Sequence, residues 1–346
     1  MLFHLGALWR LNELGYLPKL ERVSSVSGGS ITAGVLGMNW TRLALDPGSG
    51  VGAGFQNAVV EPIRALAGKT IDIPAVLMGM LSLGRLGSQT PAFYRQTFGE
   101  KTLQDLPDRP TFVLNSTSLQ SAVLWRFSKP YMADWKVGLI NKPTVPLAVA
   151  VAASSAFPPV LSPVILNLKE SDFVPNSGAT SQVPPFTTQV LLTDGGVYDN
   201  LGLETAWKKY QTILVSDACA QNQPVARPGL NWLRQLYRVL MEFDEQVGSL
   251  RKRQVIDSFV AGQRTGTYWG IGSDMSSYEL PSALPCPVAL TKLLAAFETR
   301  LRKVDEVTQD RLINWGYAIC DAAMRRHVVT GVPAPSGFPY PNSGLG

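Results

Sequence analysis

The feature that most constrains this chain is a short, partly β-branched run from Leu20 to Val26. It ends in Ser27-Gly28-Gly29 and passes at once into a helical stretch reaching about Met38. A strand that becomes a helix within so few residues must bend sharply, and only small side chains fit such a bend. The bend presents the Ser27 hydroxyl at the mouth of the helix, where the first amide groups favour developing negative charge. Along the helix Gly29, Ala33 and Gly37 fall four apart and leave one face without bulk, which predicts close packing behind the turn. Small-residue turns after strands are common, so the turn alone fits a structural bend as well as a nucleophile.

Around this unit, Phe3 to Leu14 reads as a first helix closed by Gly15 and Pro18. Thr111 to Ser116, Val190 to Thr193 and Thr212 to Val215 read as buried strands. Helical patterns lie between them, which predicts an α/β domain whose sheet is mainly parallel and covered on both faces. Val51 to Leu86 is apolar and Gly-rich, contains Met78 and Met80, and is split by Pro74; it fits a buried helical pair or a lipid-facing flap. Lys169 to Thr188 is polar and Pro-rich and reads as a surface loop, and residues 333–346 read as a flexible tail behind a hydrolase domain spanning 1–332. Leu233 to Leu250 and Leu290 to Val304 keep three-four apolar spacing, which predicts two long amphipathic helices packed on the core.

A second strand-end motif, Leu191-Leu192-Thr193-Asp194-Gly195-Gly196, delivers a carboxylate to the C-terminal end of a strand, followed by glycines that let another group approach. Alone, Asp-Gly-Gly is an ordinary turn. In one parallel sheet, however, both motifs would place reactive groups on the same rim.

The mechanism then depends on histidine, and the chain has only His4 and His327. A Ser27-Asp194-His327 triad matches the chain order of the α/β-hydrolases. That fold places several strands ahead of its nucleophile, whereas here one helix and one strand precede Ser27. His327 follows Arg325-Arg326 at a helix end, where a solvated histidine suits the helix dipole, and His4 fits a packing histidine. A serine with an aspartate base is the more economical reading, and burial would have to raise the basicity of a carboxyl whose ordinary pKa is about 3.9.

Composition sets the remaining bounds. With 346 residues, 45% hydrophobic and 16% charged, the chain can bury one large core. The net charge of +5 is scattered apart from Arg251-Lys252-Arg253 and Arg325-Arg326, a mild bias toward anionic surfaces with no nucleic-acid partner expected. Cys219, Cys286 and Cys320 lie far apart without metal-ligand spacing, so no metal or other cofactor is expected. The longest apolar stretch, Val145 to Leu168, is interrupted by prolines, so no membrane-spanning helix is expected. No signal peptide is visible, and the expected location is cytoplasmic or peripheral to a membrane.

The elbow Ser25 to Ser30, the run Ala152-Ala153-Ser154-Ser155-Ala156-Phe157-Pro158-Pro159, and Asp194-Gly195-Gly196-Val197-Tyr198-Asp199-Asn200 follow one another in an order that resembles the bacterial patatin-like phospholipases. The resemblance runs from Leu5 to about Phe259 and implies a three-layer α/β/α fold with additional C-terminal helices. It implies lipid acyl hydrolysis, through an acyl-enzyme, by a Ser-Asp dyad placed on Ser27 and Asp194. Gly28 and Gly29 would serve the oxyanion and the elbow, Gly195 and Gly196 the supporting turn, while Asp199 and Asp217 are fallback carboxylates with structural roles. The implied partner is a phospholipid or other acyl ester, with peripheral membrane contact. The elbow departs from the family's GxSxG by carrying Ser25 for the first glycine. The family's strand and glycine-rich oxyanion loop ahead of the first helix are not in this sequence, which starts inside that helix. A start placed late at an internal methionine, and a non-catalytic lipid-binding derivative, are the two accounts of this; the intact dyad positions favour the first.

Overall fold

The computed structural model describes residues 1–70, 90–158, 161–219, 224–297 and 302–346. In chain order the elements are α1 (Leu2–Glu13), β1 (Arg22–Ser25), α2 (Ser27–Met38), α3 (Glu61–Ala67), α4 (Thr90–Phe98), β2 (Thr111–Ser118), β3 (Leu124–Ser128), β4 (Tyr131–Asp134), β5 (Gly138–Asn141), α5 (Leu147–Ser154), β6 (Val164–Asn167), β7 (Gln189–Asp194), β8 (Thr212–Asp217), α6 (Trp232–Val260), β9 (Thr265–Gly270), α7 (Val288–Ala295) and α8 (Glu306–His327). They fall into two compact units: one holds Met1 and residues 12–206, the other residues 2–11 and nearly all of the chain from 207 onward.

The first unit is built on a seven-stranded sheet in the order β5-β4-β3-β2-β7-β6, with β1 also paired to β2. The expectation of a mainly parallel sheet fails here, because among the described residues β1–β2 is the one parallel pair and every other pairing in this sheet is antiparallel. The reason lies in the connections. Lys129-Pro130 joins β3 to β4 and Trp135-Lys136-Val137 joins β4 to β5, and links this short can only close hairpins.

Behind the sheet, α5 reads Leu-Ala-Val-Ala-Val-Ala-Ala-Ser and is almost wholly buried, as a helix apolar on all sides should be. Small residues on α2 set the packing: a Cβ on Gly34 would meet Phe98 at 3.0 Å and Val151 at 3.2 Å, and one on Gly37 would meet Leu106 at 2.7 Å. Close packing behind the turn is thus realised, with Gly34 contributing as well as Gly37. Phe55, Ala58, Val59, Ile63 and Leu66 are buried around α3, so the start of the apolar Val51 to Leu86 region joins the core. Pro74, Met78 and Met80 lie outside the described residues.

In the second unit, β8 and β9 form a two-stranded parallel sheet and α1 crosses α8 at close range. A Cβ on Gly6 would fall 1.9 Å from the Ile313 carbonyl oxygen, and one on Gly316 would fall 1.9 Å from that of Phe3. Gly6→Ala is therefore expected to destabilise the protein by roughly 1–3 kcal/mol through overpacking, read as a lower urea midpoint. Beside the crossing, buried Asp321 pairs with Arg10 at 2.9 Å and Arg325 at 2.8 Å. Segment 333–346 is held to α8: Asn314 donates to the carbonyls of Tyr340 and Gly344, and Leu345 is buried.

Two expectations for the C-terminal helices are corrected. The 290–304 pattern is not one helix: α7 stops at Ala295, and Asp305 caps the start of α8 by accepting the Thr308 N–H at 2.9 Å. The long α6 does not turn its apolar stripe to the core either. Trp232, Leu236, Val239, Leu240, Phe243 and Leu250 are exposed, Trp232 by 68% and Phe243 by 65%, while Val255 and Ser258 are the buried positions among the described side chains. Periodicity fixes that one face is apolar, not which way that face points.

Candidate active site

The two sequence motifs meet on one edge of β2. β1 pairs along Thr111 to Leu114, running parallel, and β7 pairs along Ser116 to Ser118, running antiparallel. Since β3 occupies the opposite edge over the same residues, the C-terminal ends of β1 and β7 approach head-on at Asn115. The common rim of a parallel sheet, expected from sequence, is replaced by two strand ends facing each other.

Asn115 joins the halves. Its side-chain amide donates to the Ser25 carbonyl at 2.9 Å and to Ser24 Oγ at 3.0 Å. Its own carbonyl accepts from Ser154 Oγ at 2.6 Å, and a Cβ on Gly195 would lie 2.2 Å from that carbonyl oxygen and 2.9 Å from Val26 Cγ1. The turn after Asp194 thus presses against the residue before Ser27, which is why a glycine stands at 195.

At the elbow Ser27 adopts φ of +50°, a left-handed conformation uncommon for a residue with a side chain. Val26 before it is extended, and α2 begins immediately. The Gly29 and Ser30 amides turn back onto the Val26 carbonyl at 2.9 and 3.2 Å, and the Ser27 amide donates to Ser154 Oγ at 3.3 Å. The Gly28 N–H is the one amide of this turn with no acceptor among the described residues, and it stands at the positive end of a helix. Gly28 is also crowded, since a Cβ there would lie 3.1 Å from the Met1 nitrogen.

Asp194 is 2% exposed. The Gly196 N–H donates to its Oδ1 at 2.8 Å, and its backbone is tied by Thr117 Oγ1 to its carbonyl at 2.8 Å and by its own N–H to the Ala156 carbonyl at 3.0 Å. Burial, reinforced by the charge of Asp194, pushes the Tyr94 phenol well above its ordinary pKa, and the phenol oxygen lies 3.0 Å from Ser155 Oγ. Because Ser155 Oγ gives its own proton to the Val151 carbonyl, Tyr94 is the donor in that pair.

The fallback carboxylates are placed differently. Asp199 is buried and accepts the Glu204 N–H at 2.7 Å. Asp217 stands in the second unit, accepting from Tyr268 at 2.6 Å and from the Cys219 N–H at 2.9 Å. Both histidines also belong to that unit. His4 bonds Ser216 at 2.8 Å, and burial lowers its pKa to about 3, so it stays neutral. His327 packs edge-on against Tyr278, its pKa lowered by burial and by Arg326. Asn115, Tyr94 and Ser154 were not singled out from sequence. Ser154 lies in the run from Ala152 to Pro159 that carries the family resemblance, but its role, like those of Asn115 and Tyr94, depends on partners far away along the chain.

No curated protein matches the chain. The family model for patatin-like phospholipases matches residues 1–207, which include β1, α2, the buried α5 and the Asp194 turn. With well over half of its length matched, and with both strand-end motifs inside that span, the chain belongs to the patatin-like phospholipase family, a family of lipid acyl hydrolases.

Proposed function

We propose that this protein hydrolyses acyl-lipid esters of the phospholipid, lysophospholipid or simple ester type through a Ser27-Asp194 dyad and an acyl-enzyme. The observation that carries this reading is the head-on meeting of β1 and β7 at Asn115, which puts a strained serine and a buried carboxylate at facing strand ends. Ser27 Oγ attacks the ester carbonyl carbon while its proton passes to Asp194. The oxyanion of the tetrahedral intermediate accepts from the Gly28 N–H. Collapse breaks the ester C–O bond, and the departing alcohol takes the proton from Asp194. Water then attacks the acyl-enzyme, giving a proton to Asp194, and the fatty acid leaves as Ser27 regains its hydrogen. A histidine is not needed, since Asp194 takes and returns each proton in this scheme.

A fluorophosphonate probe tests this directly. It is expected to label the protein at Ser27, read by peptide mass spectrometry, with labelling lost in Ser27→Ala. Labelling that persists at another serine in that variant, or none in the wild type, would overturn the catalytic reading in favour of a non-catalytic lipid-binding derivative.

Contact with a lipid surface suits either outcome and is supported by α6. Its exposed Trp232, Leu236, Val239, Leu240, Phe243 and Leu250 share one helical face, and Arg251 and Arg253 flank the end of the stripe on either side. Among the described residues no helix is long and apolar enough to cross a membrane, so this contact would be peripheral. Each large side chain buried in lipid contributes about 1.5–3 kcal/mol, so the pair Leu236→Glu and Phe243→Glu is expected to weaken co-sedimentation with phosphatidylglycerol vesicles at least roughly tenfold. Unchanged vesicle binding by that double variant would remove α6 from the contact.

A further inference from the structure

Ser154, the last residue of α5, is fully buried and touches both halves of the site. Its Oγ accepts the Ser27 N–H at 3.3 Å, while its carbonyl accepts the Gly195 N–H at 3.2 Å. Its hydroxyl proton is committed to the Asn115 carbonyl at 2.6 Å, because a carbonyl can only accept. The contact with Ser30 Oγ at 2.8 Å therefore has Ser30 as donor, while Ser25 Oγ lies 2.9 Å from Ser30 Oγ and 3.4 Å from the Val113 carbonyl. The hydroxyls form a one-way chain from Ser30 to Ser154 to the Asn115 carbonyl. The donor of Ser154 and both its acceptor positions are occupied, so its rotamer is fixed, and with it the acceptor that meets the Ser27 amide.

We infer that Ser154 is a positioning residue, holding the Ser27 elbow and the Asp194 turn in register through one hydroxyl and one carbonyl. The inference rests on the Ser27-Asp194 reading above. The Ser27 amide belongs to the residue with φ of +50°, so this bond acts at the strained point of the elbow. By engaging that amide, Ser154 also leaves the neighbouring Gly28 N–H as the donor that faces the developing oxyanion. Removing the hydroxyl leaves the Ser27 amide free to rotate away and the Asn115 carbonyl without its donor, loosening both strand ends at the place where they meet.

The test uses the full chain with Ser154→Ala, and with Ser128→Ala as the comparison. Ser128 is also fully buried, with Oγ bonded to the Tyr131 carbonyl at 2.6 Å, but it sits in the β3–β4 hairpin. Steady-state hydrolysis of p-nitrophenyl butyrate gives kcat and KM per folded molecule, and hydrogen exchange is followed in peptides covering residues 22–30 and 189–198. Ser154→Ala is expected to lower kcat roughly 10- to 100-fold with KM little changed, since misplacement of reacting groups acts on the chemical step. Exchange is expected to rise in both peptides, and Ser128→Ala to change neither kcat nor those peptides. The inference fails if kcat of folded Ser154→Ala equals that of the wild type, or if both variants lose activity only in step with their melting temperatures. Should Ser154→Ala not fold, Ser154→Cys, similar in size and a much weaker acceptor, is held to the same outcomes. A wild-type chain without Ser27-dependent turnover would overturn the dyad reading instead, and the exchange measurements would still decide whether Ser154 ties the two segments.

Discussion

Asp194→Asn is expected to lower kcat for a soluble acyl ester by roughly 100- to 10,000-fold, the range that positioned general bases contribute. The substitution is close to isosteric, and an asparagine Oδ1 can still accept the Gly196 N–H now bonded at 2.8 Å. The two backbone ties of residue 194, to Thr117 and Ala156, do not involve its side chain's charge. Thermal melting should therefore stay within a few degrees of the wild type while turnover collapses. The measurement pairs a denaturation curve with initial rates; a variant that turns over within about threefold of the wild type would show that the Ser27 proton goes elsewhere.

Gly195→Ala should act in the opposite way, through structure first. Residue 195 has φ of −63° and ψ of −28°, which any L-residue adopts, so backbone conformation is not the obstacle. Space is the obstacle: the new methyl group would stand 2.2 Å from the Asn115 carbonyl oxygen and 2.9 Å from Val26. Neither neighbour can move freely, since Asn115 belongs to the central strand and Val26 is the extended residue that launches the elbow. A loss of roughly 1–3 kcal/mol is expected from overpacking, visible as a lower urea midpoint. The residual folded protein should also be poorly active, because the strain is released by parting the strand ends. Gly6→Ala makes the useful contrast. It carries a comparable clash at the α1–α8 crossing but should leave the rate per folded molecule unchanged, so stability and catalysis separate between the two variants.

The two strand-end motifs were legible in the sequence because each concentrates its signal in a few residues: a strand, a serine and two glycines, then a strand, an aspartate and two glycines. The same local signals located α1, β1, α2, β2, β7 and β8. Strand direction was not legible in that way. β3 to β5 are four or five residues long with links of two and three residues between the last of them, too short to register as periodic runs. The head-on arrangement follows from β7 pairing antiparallel to β2 where β1 pairs parallel, a long-range pairing that local sequence does not carry. The stripe on α6 was legible as a stripe, while its exposure depends on which part of the helix the β9 side of its unit covers, and that is a tertiary fact. The roles of Ser154 and Asn115 were not legible for a related reason, although Ser154 stands in a run that carries the family resemblance. A hydroxyl or an amide acquires a role from what lies opposite it, and here the opposite residues are separated by long stretches of sequence.

Because both reactive ends take their position from one residue of one strand, the length of chain between them has little bearing on how they meet. The turn from Leu119 to Val123 bears on it through bonds to β7: the Leu119 N–H donates to the Leu191 carbonyl at 2.9 Å, and the Gln120 side chain accepts the Leu191 N–H at 3.0 Å. The arrangement also concentrates vulnerability, since a change at the meeting point has no second strand to compensate for it.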